Sequence, residues 1–202
     1  MSLILYPVKV ISHRLTGRKL NVVYPVVESL PHPEVQRKIN EAILTEVRAM
    51  LRAQDYPANP DTEVTGYYEI KTNERGVLSL SLFSYAYSGG AHGITLQRSL
   101  TFAIQTGEKY SLKDLFKPET DYIRIVNRQI EEQIMARQIP LLEEFKTIRP
   151  DQDFYIADKA LVVYFQLYEL TAYVYGFTYF PLSVYSLQPY IREDGPLGTM
   201  IY

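Results

Sequence analysis

Hydrophobic positions along the chain change period several times, and each change marks an element. Residues 3–14 and 18–30 are rich in β-branched and aromatic side chains, and Thr16, Gly17 and Arg18 between them supply the break of a hairpin. Two long strands are expected there. Pro33 then suits the first turn of a helix. After it Val35, Ile39, Ile43, Val47, Met50 and Leu51 recur at helical spacing, while Glu34, Arg37, Lys38, Glu41 and Arg48 fill the other faces to about Gln54. Two prolines and two aspartates in residues 55–61 make that stretch a connection.

From Glu63 to Gln105 the period becomes two. Residues 64–72, 77–87 and 94–105 alternate, and Asn73-Glu-Arg-Gly76 is a hairpin loop, so a three-strand meander is expected. Thr106-Gly-Glu108 turns the chain, and residues 111–116 read as a short helical turn. Ile123, Val126, Ile130 and Ile134 then form one helical stripe, with Glu119 and Asp121 at the end where the helix dipole favours acids. Residues 138–152 keep no clean period. Residues 154–156 and 160–166 make a second hairpin and 180–190 a last strand, with the apolar, aromatic stretch 167–177 as a structured loop between them. Gly195, Pro196 and Gly198 predict a frayed tail. The pattern predicts a single α+β domain over 1–202, an antiparallel sheet covered by two amphipathic helices.

Composition narrows the function classes. With 47% hydrophobic and 22% charged residues the chain matches a globular protein, and its net charge of −2 offers no footprint for a polyanion, so no nucleic-acid partner is expected. No run of 18 apolar residues exists, so no membrane span is expected in this chain. Residues 1–7 lack the basic start and long apolar run of a signal peptide. A cytoplasmic location follows if the chain is complete as written; an extracellular or cell-envelope one follows if a native signal or anchor was trimmed away. The absence of cysteine excludes disulfides and thiolate chemistry. The aromatic balance is unusual: 18 Tyr and no Trp, with nine of the tyrosines after residue 150. Tyrosine suits a half-wet sheet, and where exposed it also suits a recognition surface.

Candidate chemistry centres on Ser88-Gly-Gly-Ala-His-Gly93, where an alternating strand runs into three glycines around a histidine. Gly89, Gly90 and Gly93 mark a structural turn with special backbone geometry, and His92 sits at its tip. The segment lacks the Gly-Lys-Ser/Thr ending of a phosphate loop. His13, His32 and His92 have no histidine neighbour at metal-binding spacing, so neither a metal site nor a cofactor is expected. Ser88, His92 and Glu169 compose a conceivable triad. Against it stands a hydrogen-bonded keystone, in which His92 would contact residues 168–175 and find its polar partner in Glu169 or a tyrosine hydroxyl.

Tyr-Ser-Gly-Gly-Ala-His-Gly, then Thr-Gly-Glu and Ser-Leu-Lys-Asp-Leu-Phe, and later Phe-Tyr-Ile-Ala-Asp and Gln-Leu-Tyr-Glu-Leu-Thr-Ala-Tyr-Val-Tyr-Gly, form a recognisable series over residues 80–190. It resembles the domain-of-unknown-function 3298 family, found in the extracellular part of a lysozyme-sensing anti-sigma factor and beside the catalytic domain of a peptidoglycan deacetylase. Residues 1–72 resemble its companion 4163-type N-terminal segment. The resemblance implies a non-enzymatic binding or sensing module of the bacterial cell envelope, with a protein or a cell-wall glycan as ligand. His92, Tyr85, Tyr87, Tyr168, Glu169, Tyr173 and Tyr175 are the candidate ligand-binding residues. The rival reading is a hydrolase or deacetylase acting on cell-wall polymer through His92 and Glu169.

Overall fold

A computed structural model describes residues 7–201, which form two compact units divided after Lys109. The first unit carries the long strands. β1 (Lys9–Gly17) and β2 (Leu20–Glu28) form a hairpin closed by Arg18 and Lys19, the latter at φ 56. α1 (Pro33–Ala53) then crosses over to β3 (Glu63–Glu74), which pairs parallel to β2 through Leu20–Val22 against Val64–Gly66. A parallel pair requires such a crossover, and α1 provides it. β4 (Val77–Tyr87) and β5 (Ile94–Ala103) complete the meander, in the order β1-β2-β3-β4-β5.

Helix α1 obeys its sequence pattern. Val35, Ile39, Ile43, Val47, Met50 and Leu51 are all buried, and the helix packs on β2, β4 and β5. Leu78, Leu80 and Leu82 of β4 face that core. The alternate residues of β4 and β5 carry hydroxyls that satisfy one another across the strands, buried Ser79 with buried Thr101 at 2.9 Å and buried Ser81 with half-buried Ser99 at 2.8 Å.

The second unit has its own sheet: β6 (Phe154–Ala157), β7 (Ala160–Phe165) and β8 (Thr178–Ser183), in that order and antiparallel throughout. Central strand β7 is buried on both faces, Leu161, Val163 and Phe165 on one and Val162 and Tyr164 on the other. Tyr155 and Tyr179 flank Tyr164 at ring distances of 5.9 and 5.8 Å. Helix α2 (Tyr122–Arg137) starts at Asp121, whose side chain accepts from the Arg124 amide, and it packs on β8.

Four expectations change. The class is α+β as the pattern predicts, but there are two sheets, each with its own helix, instead of one sheet under both. Tyr122, Val126 and Ile130 are buried on α2 while Ile134 is only half-buried, because the last turn runs along the edge of β8 and meets backbone carbonyls there. The strand expected over 180–190 ends at Ser183, whose hydroxyl accepts from the Tyr185 amide and starts the one-turn helix α3 (Val184–Leu187). Nor does the tail fray: Leu197 and Met200 are fully buried, and the Lys159 ammonium donates to the Ile201 carbonyl. Of the strand expected over 3–14, residues 3–6 lie outside the described residues.

Candidate functional site

The glycine-histidine segment is the connection between β4 and β5. Gly89 and Gly90 adopt φ 95 and 101 in open space, so their requirement is one of backbone conformation alone. Gly93 has the opposite reason: a Cβ there would overlap the Ala86 carbonyl and the ring of Tyr85. Two tyrosines pin the turn. The Tyr87 hydroxyl donates to the Gly90 carbonyl at 3.0 Å, and the Gly93 amide donates to the Tyr85 hydroxyl at 3.2 Å. His92 is exposed and donates from Nδ1 to the Gly93 carbonyl at 2.9 Å, which fixes the proton on that nitrogen because a carbonyl only accepts. The Ser88 hydroxyl pairs with Thr62 at 2.8 Å.

Beneath this turn lies a residue that pattern reading passed over. Gln54, the C-terminal cap of α1, is buried, and its amide donates to the carbonyls of Ser84 at 2.8 Å and Ile94 at 3.2 Å while its oxygen accepts from the Ser84 hydroxyl. It ties the helix end to both strands that lead into the turn. At the end of a helical stripe, a glutamine gives no sequence signal for such a role.

The second cluster is the loop over 167–177. Tyr168 sits at φ 65, a region a bulky side chain seldom adopts, and its ring packs on Tyr173 at 5.5 Å. Glu169 accepts from the Gln166 amide at 2.7 Å and is ion-paired with Arg149. The same guanidinium reaches Asp151 at 3.4 Å and Asp153 at 3.6 Å, and Asp153 in turn accepts from the Gln166 side chain. Arg149 thus gathers three carboxylates under the loop. Its spacing to Asp151 and Asp153 is visible in the sequence, but Glu169 joins them only through the fold. Leu142 donates to the Leu170 carbonyl, and the Thr171 and Thr178 hydroxyls bond each other, so both ends of the loop are fastened. On that frame Tyr168, Val174 and Tyr175 are 47%, 81% and 57% exposed.

The candidate residues therefore fall into two groups, Tyr85, Tyr87 and His92 in the first unit and Tyr168, Glu169, Tyr173 and Tyr175 in the second. The expected meeting of His92 with residues 168–175 would join residues of separate units; in its own unit the imidazole is exposed. Among the described residues, no group of three His, Asp or Glu side chains is placed to hold a metal ion, and no helix is long and apolar enough to cross a membrane.

Comparison with known proteins bears out the resemblance read from the sequence. Residues 113–185 match the family model described as a protein of unknown function, DUF3298, and residues 18–95 match the one described as deacetylase PdaC. The glycine-histidine turn lies inside the second match and the 167–177 loop inside the first. The anti-sigma-V factor RsiV of Bacillus subtilis (strain 168) is 29% identical over 177 residues, covering 81% of this chain. The chain spans 62% of that relative's length. Two solved structures share the fold. A DUF3298 family member from Bacteroides fragilis NCTC 9343 superposes with a TM-score of 0.71 at 14% identity, over 95% of this chain and 96% of that one. A DUF3298 family protein from Pseudomonas aeruginosa PAO1 gives 0.64 at 13%, over 92% and 94%.

Proposed function

We propose that this chain is a non-enzymatic binding or sensing module of the bacterial cell envelope, and that its ligand, a protein or a cell-wall glycan, is recognised through the tyrosines of the 167–177 loop. The observation that carries this reading is the contrast within the loop: Tyr168, Val174 and Tyr175 are displayed to solvent while Glu169, Arg149 and Gln166 hold the backbone beneath them. Exposed aromatic surface on a fixed frame binds with little ordering cost. The likeness to an anti-sigma factor supports a sensing role, and a sensor of that kind would work outside the cell.

Calorimetric titration with lysozyme and with soluble peptidoglycan fragments tests the reading. Binding of one of them, weakened about tenfold or more by Tyr175→Ala, is the expected result, since aromatic anchors carry most interface energy. Binding unaffected by Tyr168→Ala and Tyr175→Ala would reject this surface.

The match of residues 18–95 to a model described as a deacetylase favours a second reading, catalysis through His92 and Glu169. Against it, the Ser88 hydroxyl is bonded to Thr62, and Glu169 is committed to Arg149 and a backbone amide. Acetate released from purified peptidoglycan by this chain, and not by its His92→Ala variant, would establish that reading.

A further inference from the structure

Among the described residues the two sheets have four edges, and three of them are blunted. β5 is bridged to Lys109 beside Phe102, and the Gln54 side chain takes the Ile94 carbonyl at its other end. β8 contains Pro181, and side chains of α2 cap its outer carbonyls: Gln133 donates to Pro181 at 3.0 Å and Arg137 to Tyr179 at 2.7 Å. β6 is only four residues long. Short length, proline and covering side chains are the ordinary protections of an edge.

Just before β1 the Asn73 side chain takes the Val8 N–H and carbonyl, at 2.9 Å each, but along its own length β1 has none of these among the described residues. It is nine residues long, contains no proline, keeps an unbroken register and pairs with β2 alone. None of its residues exchanges a backbone hydrogen bond with any other element among the described residues. Alternate N–H and C=O groups of an antiparallel strand point away from its partner, so β1 presents a row of donors and acceptors that no backbone group of the described residues takes.

Charge selects the occupant. Residues 7–20 carry Lys9, His13, Arg14, Arg18 and Lys19 and no acid. Lys9 is paired with Glu28 and Lys19 with Asp61, while among the described residues Arg14 bonds the neutral amide of Asn21 and no carboxylate. A second copy of β1 would set this basic edge against itself, which is unfavourable between facing strands. We propose that β1 is a docking edge for an extended, acidic segment of a partner protein, which adds to the sheet as a sixth strand. Main-chain hydrogen bonds supply the affinity, and the arginines select the charge of the guest.

The test uses the full chain, isotopically labelled, with two probe peptides: four Glu-Val repeats and four Lys-Val repeats, both with blocked ends. The acidic peptide slows amide hydrogen exchange in β1 by about tenfold or more while the basic one does not, and raised salt weakens the effect. Arg14→Glu combined with Arg18→Glu, both on exposed backbone outside the core, transfers the protection to the basic peptide. Equal protection by both peptides, or none by either at millimolar concentration, overturns the proposal. So does peptide-free protection that rises with protein concentration, which would make the occupant a second copy. Because β1 contains none of the tyrosines assigned to ligand recognition, loss of this effect and loss of ligand binding through the 167–177 loop are separable results.

Discussion

The β4–β5 turn and the 167–177 loop use the same residue type in opposite ways. In the turn, Tyr85 and Tyr87 bond their hydroxyls to the backbone of Gly93 and Gly90, so their polar ends are consumed in holding the connection. The loop assigns that task to charge instead: Arg149 and Glu169 hold it from below, and Tyr168 and Tyr175 are left 47% and 57% exposed. A tyrosine count cannot distinguish these arrangements. What distinguishes them is what holds the backbone in place, tyrosine hydroxyls in the turn and the Arg149–Glu169 pair in the loop.

Substitutions should separate the two regions. The largest effect is expected at Gly93→Ala, because the new methyl meets a backbone carbonyl as well as the Tyr85 ring; overpacking of this kind costs about 1–3 kcal/mol, read from a urea titration. A smaller shift of about 1 kcal/mol is expected for Arg149→Ala. Its guanidinium is 46% exposed, so solvent screens the ion pairs, and 0.5 M salt should shrink the difference further. Tyr85→Phe removes one partly exposed hydrogen bond and should cost about 0.5–1.5 kcal/mol. Tyr175→Ala should change stability by less than about 0.5 kcal/mol, as surface substitutions do. A Tyr175→Ala variant as damaged as Gly93→Ala would mean that the loop is architecture too.

Alkaline titration adds a check on the second unit that needs no substitution. Burial, aided by the carboxylates of Asp114 and Asp151, raises the Tyr122 phenol above its ordinary 10.0. Its hydroxyl donates to the Pro150 carbonyl, a bond that the phenolate loses. The unfolded chain therefore ionises first. Stability from this group is intact below pH 10.0 and falls as pH rises from there through the raised folded value. Tyr122→Phe should flatten that fall, measured by unfolding at successive pH values.

Local order was legible in the sequence wherever a period ran long enough. The α1 stripe is buried as its spacing predicts, the β3–β4–β5 meander follows its alternation, and residues 167–177 do form a fastened loop. Division into two sheets was not legible, because which strands pair depends on contacts between distant residues, and alternation carries no partner's name. The same limit hid Gln54 and Arg149. Each looks like ordinary polar sequence, and each acquires its role only when strands from elsewhere arrive beside it. The tail misled for a related reason: glycine and proline signal irregular backbone, and irregular backbone can still be packed, as Leu197 and Met200 are.

The proposed division between a turn that tyrosines hold and a loop that presents them to a ligand is tested most directly by tyrosine-selective NMR during titration with a ligand that binds, lysozyme or a soluble peptidoglycan fragment. The account predicts that the ring signals of Tyr168, Tyr173 and Tyr175 move as the site fills, while those of Tyr85 and Tyr87 stay in place with their hydroxyl bonds intact. Shifts confined to Tyr85, Tyr87 and His92, with the loop tyrosines silent at saturation, would contradict it.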